Sequence, residues 1–448
     1  MFRFYLALTV LPFLAVASFA AEPGWKAGFA TEPITPKAKQ WMSGYAARTA
    51  PAEGTATELY AKAALLEPAS GPMLVLVSLD LVGIDRIMGE SIAKLICEKH
   101  KLKRESVCLA CSHTHCGPVV GSTLRSMYFL EPDQAKLVED YTKALPGLIL
   151  KAVNAAFEKR EAVELLAMNT TCGFAVNRRE NKEADVPMLR EKGQALKGPV
   201  DHGVPVLAAR NSKGKWVGIL FGYACHATTL AYNQWNGDWP GYAMAALEAA
   251  YPSATALFFA GCGADQNPIP RRSEELAKKY GKELATAVSA SLKDAGTALK
   301  SETHAIFRTI NLPLHDLPTR EQLIVDSMKK EKYIAARAKM LLARIANNEP
   351  LPETYPYPVQ TWQIGEQKLA MLGGEVVVDY ALRLKKDVDA KLWIMGYAND
   401  VMAYIPSERV LKEGGYEGAT SMIYYGMPSV WSSRIEEMIV QEVRKQLK

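Results

Sequence analysis

The 448-residue chain holds seven histidines, and three of them stand where apolar runs give way to loops of small polar residues. His113 and His115 occur in Cys111-Ser112-His113-Thr114-His115-Cys116-Gly117-Pro118, directly after an expected strand at 106–110. If the backbone stays extended there, alternate side chains face one side. The two imidazoles then present nitrogen donors together, which suits zinc (Zn2+). His226 follows an expected strand at 216–223, within Tyr223-Ala224-Cys225-His226-Ala227-Thr228-Thr229. Each histidine alone reads more readily as a core residue bonded to backbone. Their recurrence at strand exits turns the reading toward a metal site.

Oxygen groups complete the set of candidates. Glu375 follows Gly373-Gly374 and is expected to open a helix, where the helix dipole favours a carboxylate; it is equally an oxygen ligand for zinc. Asp265, in the glycine-rich loop Gly261 to Pro268, and Asp238, expected to cap the helix after it, are candidates to hold a ligand histidine from behind. Tyr404 and the glycine-flanked Tyr416 are hydroxyls that loops can aim at a reacting oxygen. Arg178 and Arg179 are the cationic candidates, and by composition alone they are also ordinary surface charges.

These residues need a scaffold that brings strand ends together. Apolar strands are expected at 72–80, 106–110, 163–168, 204–209, 216–223 and 255–260. Helices are expected at 87–100, 133–159 and 241–250, with Pro146 kinking or dividing the second. A charged helical stretch at 318–348 leads to an irregular connection marked by Pro350, Pro352, Pro356 and Pro358. A strand at 358–372 and another at 391–395 follow. The expected fold class is α/β: a mixed β-sheet core flanked by helices, with the site at strand-exit loops, where open α/β sheets gather ligands.

Composition narrows the function. Lys and Arg number 53 against 48 Asp and Glu, scattered without a basic stripe, so nothing argues for nucleic acid. Met1-Phe2-Arg3 followed by an apolar run to Phe19 reads as a signal peptide at 1–20, cut after Ser18-Phe19-Ala20. Export, to periplasm or medium, is the expectation. The seven cysteines read as small buried packing residues with room for one or two disulfides. Their spacing lacks the paired knuckles of thiolate zinc sites.

Taken together the motifs resemble the neutral/alkaline ceramidase family. Gly28-Phe29-Ala30-Thr31-Glu32-Pro33-Ile34-Thr35-Pro36 resembles its opening strand and ITP turn, and Met42-Ser43-Gly44-Tyr45 its MxGY element. Ser112 to Pro118 is similar to its THTHSGP motif, Asn177-Arg178-Arg179 to its NRS element, and Cys225-His226-Ala227-Thr228 to its HxT element. Gly263 to Pro268 resembles its GDxSPN loop and Tyr416-Glu417-Gly418 its QRYEG segment.

The resemblance implies one zinc held by His113, His226, Glu375 and Tyr404, with Tyr397 as the substitute for Tyr404. It implies His115 facing the reacting group, and Arg178 and Tyr416 on the amide oxygen. It implies an amidase for ceramide-like lipid amides or a smaller amide, with peripheral membrane contact, in a catalytic domain at 21–448. Two departures stand out. Gln266 replaces the family's loop serine, and the chain stops at Lys448 without the immunoglobulin-like domain of longer relatives. The rivals are a zinc hydrolase of a polar amide or ester and a binding protein that has lost catalysis.

Overall fold

Alternation of buried apolar residues builds the central sheet. In the strand Leu74–Leu79, Val75, Val77 and Leu79 join one core cluster while Leu74 and Leu76 join another, so both faces are covered. The computed structural model describes residues 24–294 and 296–448; the expected signal peptide at 1–20 lies outside them. Among the described residues the sheet has nine strands. Its main path runs Thr255–Ala260, Trp216–Tyr223, Gly203–Asn211, Glu161–Thr171, Trp25–Pro33, Tyr60–Glu67, Leu74–Leu79, Val107–Cys111. The first pair and the last pair are parallel, and every pairing between them is antiparallel.

The two parallel edges approach each other. The Ser78 hydroxyl near one edge donates to Phe258 O on the other at 2.6 Å. Consequently the loops that follow Cys111, Tyr223 and Ala260 leave the sheet side by side. This is why histidines more than a hundred residues apart meet.

Helices cover one face of the sheet. Ile92 and Ile96 from Arg86–His100, Leu145 and Ile149 from Pro132–Glu158, and Trp239 and Leu247 from Asp238–Ala250 all enter the same core cluster. The expected division at Pro146 does not occur: Pro132–Glu158 is one continuous helix, its buried stripe holding it against the sheet despite the missing N–H. The other face is covered by a second sheet, Thr303–Pro313, Thr354–Ile364, Gln367–Leu372 and Trp393–Met395, whose Trp362, Leu369, Met371 and Trp393 pack with Phe29, Leu74 and Leu207.

Two expectations in this region are corrected. The single strand at 358–372 is a hairpin turning at Gly365, whose φ is +55°. Pro356 and Pro358 are not in an irregular connection but inside Thr354–Ile364, which at those positions pairs only with Thr303–Pro313. A proline that donates nothing fits a strand segment open on one side. The charged stretch forms two helices, Arg320–Ser327 and Lys332–Ala346. No helix among the described residues is long and apolar enough to cross a membrane. All seven cysteines are unpaired, and six are buried, so the disulfides allowed above do not form.

Asp400 sits buried behind the hairpin, its backbone oxygen accepting from Gly374 N at 2.7 Å and its carboxylate from the Tyr355 hydroxyl at 2.8 Å. Burial pushes its pKa up to about 7, above its unfolded value of roughly 3.9. The folded state thus favours the protonated acid, and this group's support for folding is lost as pH rises from the unfolded value through the folded one. Asp400→Asn should therefore have the higher thermal midpoint at about pH 8, with the gap closing toward about pH 5; a gap independent of pH would contradict the assignment.

Candidate metal centre

Two backbone carbonyls fix the protonation of two imidazoles. His113 Nδ1 lies 2.6 Å from Val82 O and His226 Nδ1 lies 2.8 Å from Gly263 O. A carbonyl only accepts, so each Nδ1 carries a hydrogen, and in the neutral ring each Nε2 keeps a lone pair. Both lone pairs face one carboxylate oxygen: Glu375 Oε2 is 3.0 Å from His113 Nε2 and 3.1 Å from His226 Nε2. Burial brings the His226 pKa down to about 4, aided by the charge of Arg178, so the ring is neutral near pH 7. Three acceptors thus converge in a buried site, and among the described residues Glu375 Oε2 has no hydrogen-bond partner. That arrangement is costly unless a cation sits among them, and the donor set of imidazole and carboxylate fits zinc.

His113 reaches this position by an unexpected route. Its φ is +62°, so the backbone is left-handed rather than extended, and the strand ends at Cys111. The two histidines of the motif still converge, His115 Nε2 lying 3.1 Å from His113 Nε2. The donor atoms of His113, His115 and His226 all lie within 4.8 Å of one another, and all three residues are buried. His115 is held by Arg48, whose Nη2 donates to its carbonyl at 2.7 Å. Behind the ring sits Gly44 at φ +94°, where an added Cβ would come within 2.4 Å of His115 Nδ1. That nitrogen has no hydrogen-bond partner among the described residues. Burial, with the neighbouring His113 and His226, lowers the His115 pKa well below its usual value.

Glu375 does not open a helix. It pairs with Tyr404 in a two-residue parallel bridge, and the helix begins at Val378. Gly374, at φ +75°, makes the approach possible, since a Cβ there would meet Ile405 Cγ1 at 2.5 Å. Tyr404 Oη lies 3.2 Å from His226 Nε2 and 3.1 Å from Arg178 Nη2. Tyr397 instead sets its ring 4.3 Å from that of His113, tilted by 36°, with its hydroxyl unpartnered among the described residues. Arg178 spans the site's rim, its Nε donating to Glu417 Oε1 at 2.7 Å and Nη1 to Asn267 Oδ1 at 3.3 Å. The Tyr416 ring is 5.2 Å from that of Tyr404 and is 40% exposed. Arg179 pairs with Glu413 and Glu417, away from the donor cluster.

Among the described residues neither aspartate hydrogen-bonds a histidine side chain. Asp265 accepts from Val378 N at 2.9 Å and from the Asn177 amide at 3.4 Å, tying the Arg178 loop to the Glu375 segment; burial brings its pKa up to about 6. Asp238 is the first helical residue rather than the cap, which is Gly237. It accepts from Leu230 N and Trp239 N, and Trp239 Nε1 donates to His226 O at 2.9 Å. Gln266, in place of the serine, is buried and bonds Cys262 O and Asp201 N; it packs the loop and offers no nucleophile.

The sequence reading missed Tyr425, whose hydroxyl donates to Glu375 Oε1. No local pattern announces it, because the partner lies fifty positions away. Outside the cluster, rings run from Tyr404 through Tyr416, Tyr424 and Tyr333 to Phe129, with centroids 5.1–6.2 Å apart, and Phe129 is 48% exposed. Tyr416 and Arg178 also line a cavity of about 700 Å³. Partners of a ligating carboxylate typically change metal affinity by about 10–100-fold. Tyr425→Phe should weaken zinc binding on that scale in a chelator competition; unchanged affinity would separate Tyr425 from the metal centre.

Comparison with known proteins bears on the same residues. The family model of neutral/alkaline non-lysosomal ceramidase, N-terminal, matches residues 25–268, more than half the chain and including His113, His115, Arg178 and His226. A crystal structure of neutral ceramidase from Pseudomonas aeruginosa superposes with a TM-score of 0.72 at 20% identity, covering 95% of this chain and 74% of that one. A structure described as a ceramidase complexed with C2 gives 0.72 at 18% identity, covering 95% and 75%. At those identities the likeness is one of fold. No curated protein matches by sequence. On the strength of the family match, the chain belongs to the neutral/alkaline non-lysosomal ceramidases, hydrolases of the amide bond of ceramide.

Proposed function

We propose that this protein is an exported, zinc-dependent amidase that cleaves ceramide-like N-acyl amides into a fatty acid and an amine. The observation that carries the zinc assignment is the meeting of the His113 and His226 Nε2 lone pairs with Glu375 Oε2 at 3.0–3.1 Å. His113, His226, Glu375 and Tyr404 are the proposed ligands. When bound, zinc would supply a water acidified toward a pKa of roughly 7 and a Lewis acid for the carbonyl.

The other roles belong to the chain's own side chains. Arg178 is raised well above its ordinary pKa because Tyr404 and Glu417 outweigh the burial that would lower it, so it is a fixed positive charge. It and the Tyr416 hydroxyl bind the amide oxygen as negative charge develops there. His115, neutral and with its Nε2 turned toward His113 Nε2 at 3.1 Å, takes the proton that the attacking water releases and passes it to the leaving nitrogen. The ring series from Tyr416 to Phe129 supports an acyl chain by apolar contact. The Met1-Phe2-Arg3 start and the apolar run after it support export.

The mature protein, recovered from cells expressing the full sequence, should begin at Ala21 and contain about one zinc per chain. His226→Ala should lose the metal and lower hydrolysis of a dodecanoyl amide by about a thousandfold or more. Full turnover in a metal-free His226→Ala protein would end the proposal, and an unprocessed N-terminus would end its export component.

A further inference from the structure

The cavity of about 700 Å³ beside Arg178 and Tyr416 has no task in the reaction so far, and its walls are charged where a lipid site would be apolar. Arg178 joins the cavity to the donor cluster, with Nη2 on Tyr404 at 3.1 Å and Nε on Glu417 at 2.7 Å. Arg178 and Tyr416 both line this cavity, so a group bonded to an amide held by them has the cavity open to it. Resting on the amidase reading, we infer that the cavity receives the amine half of the substrate, and that this half carries a polar group with an ammonium.

Two features of the walls argue for that chemistry. An alkyl chain laid in the cavity would strip water from Arg179, Arg271, Glu183 and Glu417 without offering them partners, which is costly. A polar group keeps those contacts. The sign of the charge follows from what is already engaged. Arg178 and Arg179 both bind Glu417, Arg179 also binds Glu413, and Arg271 binds Glu183 at 2.7 Å. An incoming anion therefore meets guanidiniums that already hold carboxylates. Glu180, which also lines the cavity, makes no ion pair among the described residues and is exposed, so its carboxylate is open to a cation. Ceramide itself has no such group. The acyl chain takes the aromatic side and the charged end of the amine takes the cavity, with the amide between them at Arg178.

A matched set of substrates isolates the point: dodecanoyl amides of diaminohexane, hexylamine and aminohexanoate, which differ only in the terminal ammonium, methyl or carboxylate, with dodecanoylsphingosine as reference. With the zinc-loaded protein, kcat/KM should be highest for the diaminohexane amide, about tenfold above the hexylamine amide and further above the aminohexanoate amide. Glu180→Gln should reduce the preference for ammonium over carboxylate at least fivefold, chiefly through KM. Hydrolysis of dodecanoylsphingosine together with a preference for the hexylamine or aminohexanoate amide, or no preference, would overturn this inference and leave the amidase reading standing. So would an unchanged preference in a folded Glu180→Gln protein. No turnover of any of the four amides would overturn the amidase reading and this inference with it.

Discussion

The site depends on two hydrogen bonds that involve no side-chain acceptor: His113 Nδ1–H to Val82 O and His226 Nδ1–H to Gly263 O. They set both rings in one tautomer and turn both Nε2 lone pairs inward. With a carboxylate oxygen added at 3.0–3.1 Å, the centre becomes a buried concentration of negative potential. Protonating the rings would relieve it, but burial works against that for His226, whose pKa lies near 4. A divalent cation relieves it without a proton, which is the physical content of the zinc assignment.

The fold supplies the carbonyls as much as the side chains. Val82 lies three residues beyond the end of Leu74–Leu79, and Gly263 three beyond Thr255–Ala260. The two parallel edges of the sheet stand close enough for Ser78 to bond Phe258 O. Each edge thus contributes one histidine and one carbonyl that orients it. The second sheet then brings Glu375 and Tyr404 in as a bridged pair. Residues 25–268, which carry the family pattern, are therefore incomplete as a site: the carboxylate, the phenol and Tyr425 come from beyond them. Asp265 joins the halves, its backbone oxygen accepting from Arg178 N and its carboxylate from Val378 N.

Sequence made the strands and the histidine loops legible because each is a local signal, an apolar run ending in a small-residue loop. The helix-flanked mixed sheet followed from the same pattern. What depended on distant packing was misread. The left-handed His113 arises because its N–H bonds Leu81 O while its ring reaches Val82 O, which no window of sequence contains. Glu375 was expected to open a helix because a glycine pair precedes apolar residues, whereas Ala403 and Tyr404 capture it in a bridge. Asp265 and Asp238 were candidates to stand behind histidines, yet carbonyls serve that purpose, and a carbonyl leaves no trace in residue identity. The assignment of Glu375 and Tyr404 as ligands came through family resemblance and not through spacing.

The central claim is that the two tautomer-fixed histidines share their cation with Glu375, not with His115. Anomalous scattering from crystals of the zinc-loaded protein tests it most directly. The account predicts one zinc peak at about 2.0–2.2 Å from His113 Nε2, His226 Nε2 and Glu375 Oε2, with the Tyr404 hydroxyl beside it and His115 outside the coordination sphere. A peak bound by His113, His115 and His226 with Glu375 turned away, or no peak at the cluster, would contradict it.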